Sequence, residues 1–231
     1  MINWFLLYVC FYKICCMIKP VLIYCYDAYC GWCYGFSPVI KKIAETFADK
    51  LEVEVLSGGM VINEVPKHIS LSASYIQQAY KRVEEYTGVQ FGDDYLWHIN
   101  HPDLSDWYPS SEKPAIALCV LKEFFPEKQI GFAADLQYAL HYEGRDLTDD
   151  EAYRHLLQKY SINEEAFYSK LKNPEYKEQA YHEFDLCRQL QVKAFPVVLL
   201  QLSDTKFHLL ARGYTPYDEL ADGIVTALKS S

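Results

Sequence analysis

The pattern of apolar and polar positions begins with a strand, a helix and a second strand. An unbroken apolar run covers residues 21–26, as is typical of a central strand buried on both faces. Apolar residues then recur at helical spacing from Ile40 to Phe47, which predicts a helix beginning at or near Cys30. Residues 51–55 alternate between apolar and glutamate, so they predict a second strand, ended by a Ser-Gly-Gly turn at residues 57–59.

The middle of the chain changes to helical periodicity. Apolar stripes at a spacing of three and four residues recur through residues 61–173, where they predict a series of packed helices. Typical start and stop residues bound them: Gly88 and Gly144 as helix ends, Pro114, Asn163 and Asn173 as helix starts, and residues 148–151 (Thr-Asp-Asp-Glu) as a capping box.

The C-terminal part returns to strand patterns. After a last long helix to about Gln191, Phe195-Pro196 precedes an apolar run at residues 197–200, and a turn separates it from a second run at residues 206–211. An amphipathic helix through Leu228 follows. This order of elements predicts an α/β thioredoxin fold with a large all-helical insertion. The predicted thioredoxin-like domain comprises residues 18–60 and 174–231, and the insertion comprises residues 61–173.

The first 17 residues are apolar and aromatic but lack the features of a targeting segment. They have no basic start, carry Lys13 in the middle and lack a small-residue cleavage site. They are also short for the roughly 20 residues of a membrane span. We therefore interpret residues 1–17 as a leader or, preferably, as residues added by a translation start assigned too early. In the second case the chain begins at Met17. A cytoplasmic location is expected, with export as the alternative.

Composition and charge exclude several classes of partner. The chain of 231 residues is 51% apolar and 23% charged, which fits a globular protein with a substantial core. The net charge is −9 and no stretch concentrates Lys and Arg, so nucleic acids and membrane surfaces are not expected as partners.

Only one pair of the eight cysteines has a recognisable chemical spacing. Cys30-Gly31-Trp32-Cys33 places a Cys-x-x-Cys between the first strand and its helix. The helix N-terminus favours negative charge, so Cys30 is predicted to be the nucleophilic thiolate. Cys33, one turn later, can resolve a mixed disulfide by attacking Cys30. This chemistry needs no cofactor.

A zinc site is the main structural alternative for such a pair. The sequence holds no second Cys-x-x-Cys and no His-x-x-x-His spacing to complete it. Cys25 could be a third ligand, but its place in an apolar strand favours a buried inert thiol. The sequence therefore predicts no metal.

The active-site segment resembles a known family. The pattern Tyr24-x-Tyr26-Asp27-x-x-Cys30-Gly31-Trp32-Cys33-Tyr34-Gly35, with Ser37-Pro38 and Gly58-Gly59-Met60, is similar to the DsbA-like thioredoxin family. It most resembles the cytosolic branch that includes the FrnE-like proteins, over residues 19–228. The resemblance implies a thiol-disulfide oxidoreductase. It also implies that Pro196 is a cis-proline facing the dithiol, so that the Phe195 backbone offers an edge to an extended substrate.

Trp32 and Asp27 are further candidates in or next to the motif, and two histidines lie elsewhere in the chain. Trp32 could contact substrate or pack on the insertion. Asp27 could relay a proton or could only cap a turn. His141 and His182 lie in helical segments without metal-ligand partners, so solvent-facing or hydrogen-bonded histidines are expected there.

The predicted function is disulfide exchange with protein thiols or disulfides, with glutathione as a further redox partner or substrate. The Gly-Trp dipeptide differs from the Pro-His of strongly oxidising periplasmic family members, which argues against a dedicated oxidase. The alternatives are a reductase, an isomerase or a stress-protective exchanger. The main alternative is a glutathione-dependent transferase or isomerase with the same insertion, and a third hypothesis is a non-catalytic binding module whose insertion groove holds a peptide. The glutathione-dependent enzymes use a single serine or cysteine at the Cys30 position, and the presence of Cys33 argues against this main alternative.

Overall fold

A computed structural model describes residues 19–229 and shows a mixed four-stranded sheet with helices on both faces. The strands are β1 (Val21–Tyr26), β2 (Glu52–Ser57), β3 (Val197–Ser203) and β4 (Lys206–Arg212). Their order is β2-β1-β3-β4, with β1 parallel to β2 and antiparallel to β3. The predicted leader, residues 1–17, lies outside the described residues.

The middle of the chain is helical, as predicted. The helices are α1 (Gly31–Thr46), α2 (Ser70–Thr87), α3 (Asp93–Asn100), α4 (Glu112–Phe124), α5 (Gln129–His141), α6 (Arg154–Tyr160), α7 (Glu164–Leu171), α8 (Pro174–Gln189) and α9 (Tyr217–Lys229). Short 3-10 turns occur at Pro102–Leu104, Pro126–Lys128 and Asp150–Tyr153. The predicted α/β thioredoxin fold with a large helical insertion is confirmed.

The central strand β1 separates two hydrophobic clusters because its side chains alternate between the faces of the sheet. Leu22, Tyr24 and Tyr26 join the main cluster, which continues through α1 into the insertion helices. Ile23 and Cys25 join a smaller cluster beneath α8. The main cluster therefore ties the insertion directly to the face of the sheet that carries α1.

Helix α1 contains Pro38, yet the backbone carbonyl that this proline leaves without a donor still accepts a hydrogen bond. A proline cannot donate to the carbonyl four residues earlier, which here belongs to Tyr34. The Ser37 hydroxyl donates to that carbonyl instead, at 2.8 Å. The helix can therefore continue past the proline and carry Ile40 and Ile43 into the core.

Three of the predicted helix boundaries agree with the structure and the others are shifted: α4 begins two residues before Pro114, and α5 ends three residues before Gly144. Asn163 and Asn173 are N-caps whose side chains accept backbone N–H groups, and Gly88 ends α2 with a left-handed φ of 78°. In the predicted capping box, Asp149 rather than Thr148 is the cap, because the Thr148 hydroxyl donates to Asp146 instead.

Candidate dithiol site

The two cysteines of the motif lie at the start of α1. Cys30 is the N-cap of the helix, and its sulfur accepts the backbone N–H of Cys33 at 3.4 Å. The backbone N–H of Cys30 donates in turn to the Asp27 carbonyl at 3.1 Å, which fixes the turn between β1 and α1. An N-cap position is where helix N–H groups stabilise negative charge. The geometry therefore suits a Cys30 thiolate.

Cys33 lies behind Cys30, on the side of α1 that faces the core. Cys33 is 0% exposed, whereas Cys30 is 6% exposed. Burial raises the pKa of the Cys33 thiol, and the neighbouring Cys30 raises it further. A partner disulfide can therefore reach Cys30, while Cys33 can attack only the sulfur of Cys30.

The turn before β3 closes the opposite side of Cys30. The peptide bond between Phe195 and Pro196 is cis, in agreement with the resemblance. The Cys30 thiol donates to the Phe195 carbonyl at 3.5 Å. The Phe195 ring covers Gly58, where an added Cβ would lie 1.9 Å from the ring. The structure thus brings Phe195 and Pro196 to the dithiol from 165 residues away.

A cavity of about 490 Å³ opens beside Cys30, between α1 and the insertion. Trp32 lines it and meets the Tyr86 ring edge-on at 6.1 Å. The rest of the lining is mainly aromatic and aliphatic, with Lys67 and His68 as basic members. Met60, Leu71 and Tyr75 form an exposed apolar rim. A partner with an apolar group next to its sulfur would fit this cavity.

Asp27 is buried under the site and holds three loops together. Its carboxylate accepts the backbone N–H of Tyr29 at 3.0 Å and of Met60 at 2.7 Å, and the hydroxyl of Ser111 at 2.9 Å. Burial raises the pKa of this carboxyl, and the three donors oppose that shift. Asp27 therefore makes the turn contacts that its position at a strand end predicted, and it also lies near enough to Cys33 to influence its charge.

His141 is buried and without a hydrogen bond among the described residues, so the prediction of a solvent-facing or hydrogen-bonded histidine is wrong. It is 1% exposed, and within the described residues neither of its ring nitrogens makes a hydrogen bond. The rings of Tyr34, Phe91 and Tyr95 surround it at 5.1–5.3 Å. Burial lowers its pKa to about 3, a shift that the nearby Ala28 backbone opposes without reversing. His182, in contrast, is exposed as expected.

The structure separates Cys25 from the dithiol. The side chain of Cys25 lies in the small cluster with Cys187 and Leu56, on the other face of the sheet from Tyr24.

Among residues 19–229, no group of three or more His, Cys, Asp or Glu side chains is placed to hold a metal ion. Nor does any helix in this range combine the length and apolar character needed to cross a membrane.

The fold and the paired cysteines define the class of thioredoxin-fold thiol-disulfide oxidoreductases. A sequence profile of the DSBA-like thioredoxin domain matches residues 21–225. The chain therefore belongs to the DSBA-like thioredoxin domain family, a family of thiol-disulfide oxidoreductases. A search of curated protein sequences finds no match.

Solved structures similar to this chain include two proteins with redox descriptions. One, from Nitrosomonas europaea, is described as a putative protein disulfide isomerase: it has a TM-score of 0.81 and 25% identity, over 92% of this chain and 99% of that chain. The other is the cytosolic disulfide reductase DsbM from Pseudomonas aeruginosa, with a TM-score of 0.73 and 26% identity over 91% and 100% of the two chains. A second structure of DsbM contains glutathione, at a TM-score of 0.71 and 24% identity over 90% and 99%.

Proposed function

We propose that this protein exchanges disulfides with protein or small-thiol partners through Cys30 and Cys33, as a member of the cytosolic FrnE-like branch. The observation that carries the proposal is the unequal placement of the two sulfurs. Cys30 caps α1 beside the Phe195 carbonyl and an open cavity, and Cys33 is buried behind it. We also propose the domain limits given by the sequence, with the insertion at residues 61–173.

The exchange can be written in the reducing direction. The Cys30 thiolate attacks one sulfur of a partner disulfide, and the other sulfur leaves as a thiolate that takes up a proton. Cys33 then attacks the Cys30 sulfur, which releases the second partner thiol and forms the Cys30–Cys33 disulfide. A reducing thiol restores the dithiol by the same steps. The reverse sequence oxidises a partner.

The roles of the surrounding residues follow from their places. Trp32 lines the cavity and would contact the part of the partner next to its sulfur. Phe195 and Pro196 would present the backbone edge on which an extended segment pairs. Asp27, beneath Cys33, would accept or relay a proton, although its three hydrogen bonds also support a role in holding the turn.

The cavity supports protein segments as the main partners. Its lining is predominantly apolar, so a cysteine flanked by aliphatic or aromatic side chains gains buried area there. Lys67 and His68 could meet a carboxylate, which keeps glutathione as a second partner. The similarity to DsbM, a structure of which contains glutathione, also favours glutathione as a second partner. A cytoplasmic location fits these partners, since thiols are kept reduced there.

Variants of the two cysteines test this proposal. With a disulfide-linked peptide as substrate and glutathione as reductant, Cys30→Ser should reduce turnover to the uncatalysed rate. Cys33→Ser should slow turnover, and with the peptide alone, before glutathione is added, it should accumulate a mixed disulfide at Cys30, which mass spectrometry detects. Cys187→Ala, which removes a buried thiol on the other face of the sheet, is the matched control and should retain activity.

The same variants separate the alternative, a glutathione-dependent transferase or isomerase. Such an enzyme needs only the group at position 30, so Cys33→Ser would leave its activity intact. Retained activity in Cys33→Ser, without a trapped mixed disulfide, would therefore contradict disulfide exchange and favour the alternative.

A further inference from the structure

The hydroxyl of Tyr24 has no hydrogen-bond partner although it is completely enclosed. Tyr24 lies in the middle of β1, on the face of the sheet covered by α1, and is 1% exposed. Within the described residues, no group makes a hydrogen bond with its hydroxyl. A buried hydroxyl without a partner is uncommon because its lost hydration is not replaced. Tyr24 therefore needs an explanation that packing alone does not give.

The ring of Tyr24 packs against the part of α1 that carries Cys33. Its ring centroid lies 6.0 Å from that of Phe36, which is three residues after Cys33 and so on the same side of α1. Burial raises the pKa of the phenol, and the charges of Cys33 and then Cys30 are the next causes. A side-chain interaction with Cys33 is also among the causes of this shift, which puts the Cys33 thiol next to the phenol.

Resolution of the mixed disulfide requires a negatively charged Cys33 sulfur, which a buried hydrogen-bond donor can stabilise. Cys33 must become a thiolate before it attacks Cys30, yet burial disfavours that charge. The titratable groups around it are Cys30 at the helix start, Asp27 in the preceding loop, and Tyr24 and Tyr26 on β1. His141 on the neighbouring helix α5 is neutral at physiological pH. These groups include no cation. A backbone hydrogen bond at Asp27 lowers the pKa of Cys33, and a further hydrogen-bond donor would add to that stabilisation of the thiolate.

We propose that the Tyr24 hydroxyl donates a hydrogen bond to the Cys33 thiolate during resolution of the mixed disulfide. This inference rests on the proposed exchange function. In the step, the Cys33 sulfur forms a bond to the Cys30 sulfur, the bond between Cys30 and the partner breaks, and the partner sulfur leaves with the electron pair. The proton lost by Cys33 ends on the partner thiol. Tyr24 keeps its own proton and lowers the energy of the charged sulfur.

The nearby tyrosine on the same strand provides a matched control. Tyr26 is also 1% exposed and on the same face, but after burial its pKa is raised chiefly by Asp27 and Glu183, with Cys33 a lesser cause. Removing either hydroxyl deletes one buried oxygen atom from β1. Only Tyr24→Phe should affect the resolving step specifically.

Two-phase stopped-flow kinetics with a chromogenic aromatic disulfide tests the inference, because formation and resolution of the mixed disulfide are observed separately. In Tyr24→Phe we expect formation at Cys30 to be unchanged and resolution to slow about tenfold, the change that accompanies one unit of pKa. The pH at which resolution is half-maximal should rise by about one unit for the same reason. Tyr26→Phe should leave both quantities at the wild-type values.

A second variant keeps the test informative if Tyr24→Phe does not fold. Fluorotyrosine incorporated at position 24 retains the ring and makes the hydroxyl a stronger donor, so resolution should accelerate and its pH midpoint should fall. Unchanged resolution in these variants, or an equal effect of Tyr26→Phe, would overturn the role of Tyr24. The absence of any mixed disulfide at Cys30 in the wild type would instead contradict the exchange function.

Discussion

At the scale of single residues, burial governs the chemistry of the site. Cys30 and Cys33 are three residues apart, but Cys30 lines a cavity and Cys33 is completely enclosed. The carboxyl of Asp27 is enclosed as well and keeps its polar partners. Because of this difference in burial, Cys30 can react with a partner, whereas Cys33 and Asp27 can act only through the Cys30 sulfur or its neighbours.

The buried carboxyl of Asp27 should make stability depend on pH. Its pKa is raised in the folded protein, chiefly by burial, above the value of about 3.9 in an unfolded chain. The folded state therefore holds the proton more tightly, and its stability should fall as the pH rises from about 4 through the raised pKa. Asp27→Asn should lack this fall.

Denaturant unfolding of the wild type and Asp27→Asn between pH 4 and pH 7 measures the effect. Other titrating groups contribute equally to both proteins, so the difference in unfolding free energy isolates Asp27. The wild type should lose stability relative to the variant as the pH rises. A difference that is constant, or that changes in the wild type's favour, would contradict the raised pKa.

Gly58 should be intolerant of a side chain because the Phe195 ring occupies that space. An added Cβ would lie 1.9 Å from the ring, so Gly58→Ala must displace Phe195, whose carbonyl accepts the Cys30 thiol. We expect a loss of about 1–3 kcal/mol in unfolding free energy, typical of overpacking, and slower exchange.

Gly223→Ala is the control for this substitution. Gly223 lies in α9, where the nearest atom to an added Cβ is 3.6 Å away, so alanine should stabilise the protein by up to about 1 kcal/mol through helix propensity. Exchange should be unaffected in that variant. Equal stability and activity of Gly58→Ala and wild type would show that Phe195 does not need its observed position.

At the scale of elements, a buried ion-pair network joins the insertion to the sheet. Lys122 on α4 donates to Glu183 on α8 at 2.6 Å and to Glu54 on β2 at 2.9 Å. The other carboxylate oxygen of Glu183 accepts the backbone N–H of Ser57 at 2.8 Å. The network thus fixes the end of β2, directly before the glycine that Phe195 covers.

Lys122→Met should destabilise the fold strongly because it leaves Glu183 charged and enclosed. We expect a loss of about 3–5 kcal/mol in unfolding free energy, most of which Lys122→Met combined with Glu183→Gln should restore. Lys177→Met, which removes an exposed pair with Glu112 between the same two helices, should cost at most about 1 kcal/mol. Equal losses in the two single variants, measured by denaturant unfolding, would contradict the network's role.

Sequence patterns predicted the elements whose signals are local. The apolar run of β1 and the asparagine caps of α7 and α8 need only neighbouring residues, and both predictions are confirmed. Helix α3 was not predicted, because only two of its residues, Tyr95 and Ile99, are buried and they give a weak stripe. The cap at Thr148 was wrong because Asp146 competes for its hydroxyl.

At the scale of the whole molecule, the site depends on contacts between distant parts of the chain. The motif itself, with its strand and helix, could be recognised from one short segment. The burial of His141 among Tyr34, Phe91 and Tyr95 could not, because it requires α5 to pack against α1 and the loop before α3. The contact of Phe195 with Gly58 and the enclosure of Tyr24 likewise follow from the assembled sheet and insertion.

A redox titration of the full chain tests the exchange couple most directly. The protein is equilibrated in glutathione buffers of stepped potential, thiols are trapped by alkylation, and mass spectrometry with peptide fragmentation assigns each modified cysteine. We predict one two-electron transition in which Cys30 and Cys33 change together, with Cys25, Cys119 and Cys187 unchanged because they are buried away from the cavity. If Cys30 and Cys33 remain reduced throughout, or oxidise independently of each other, the proposed function is wrong.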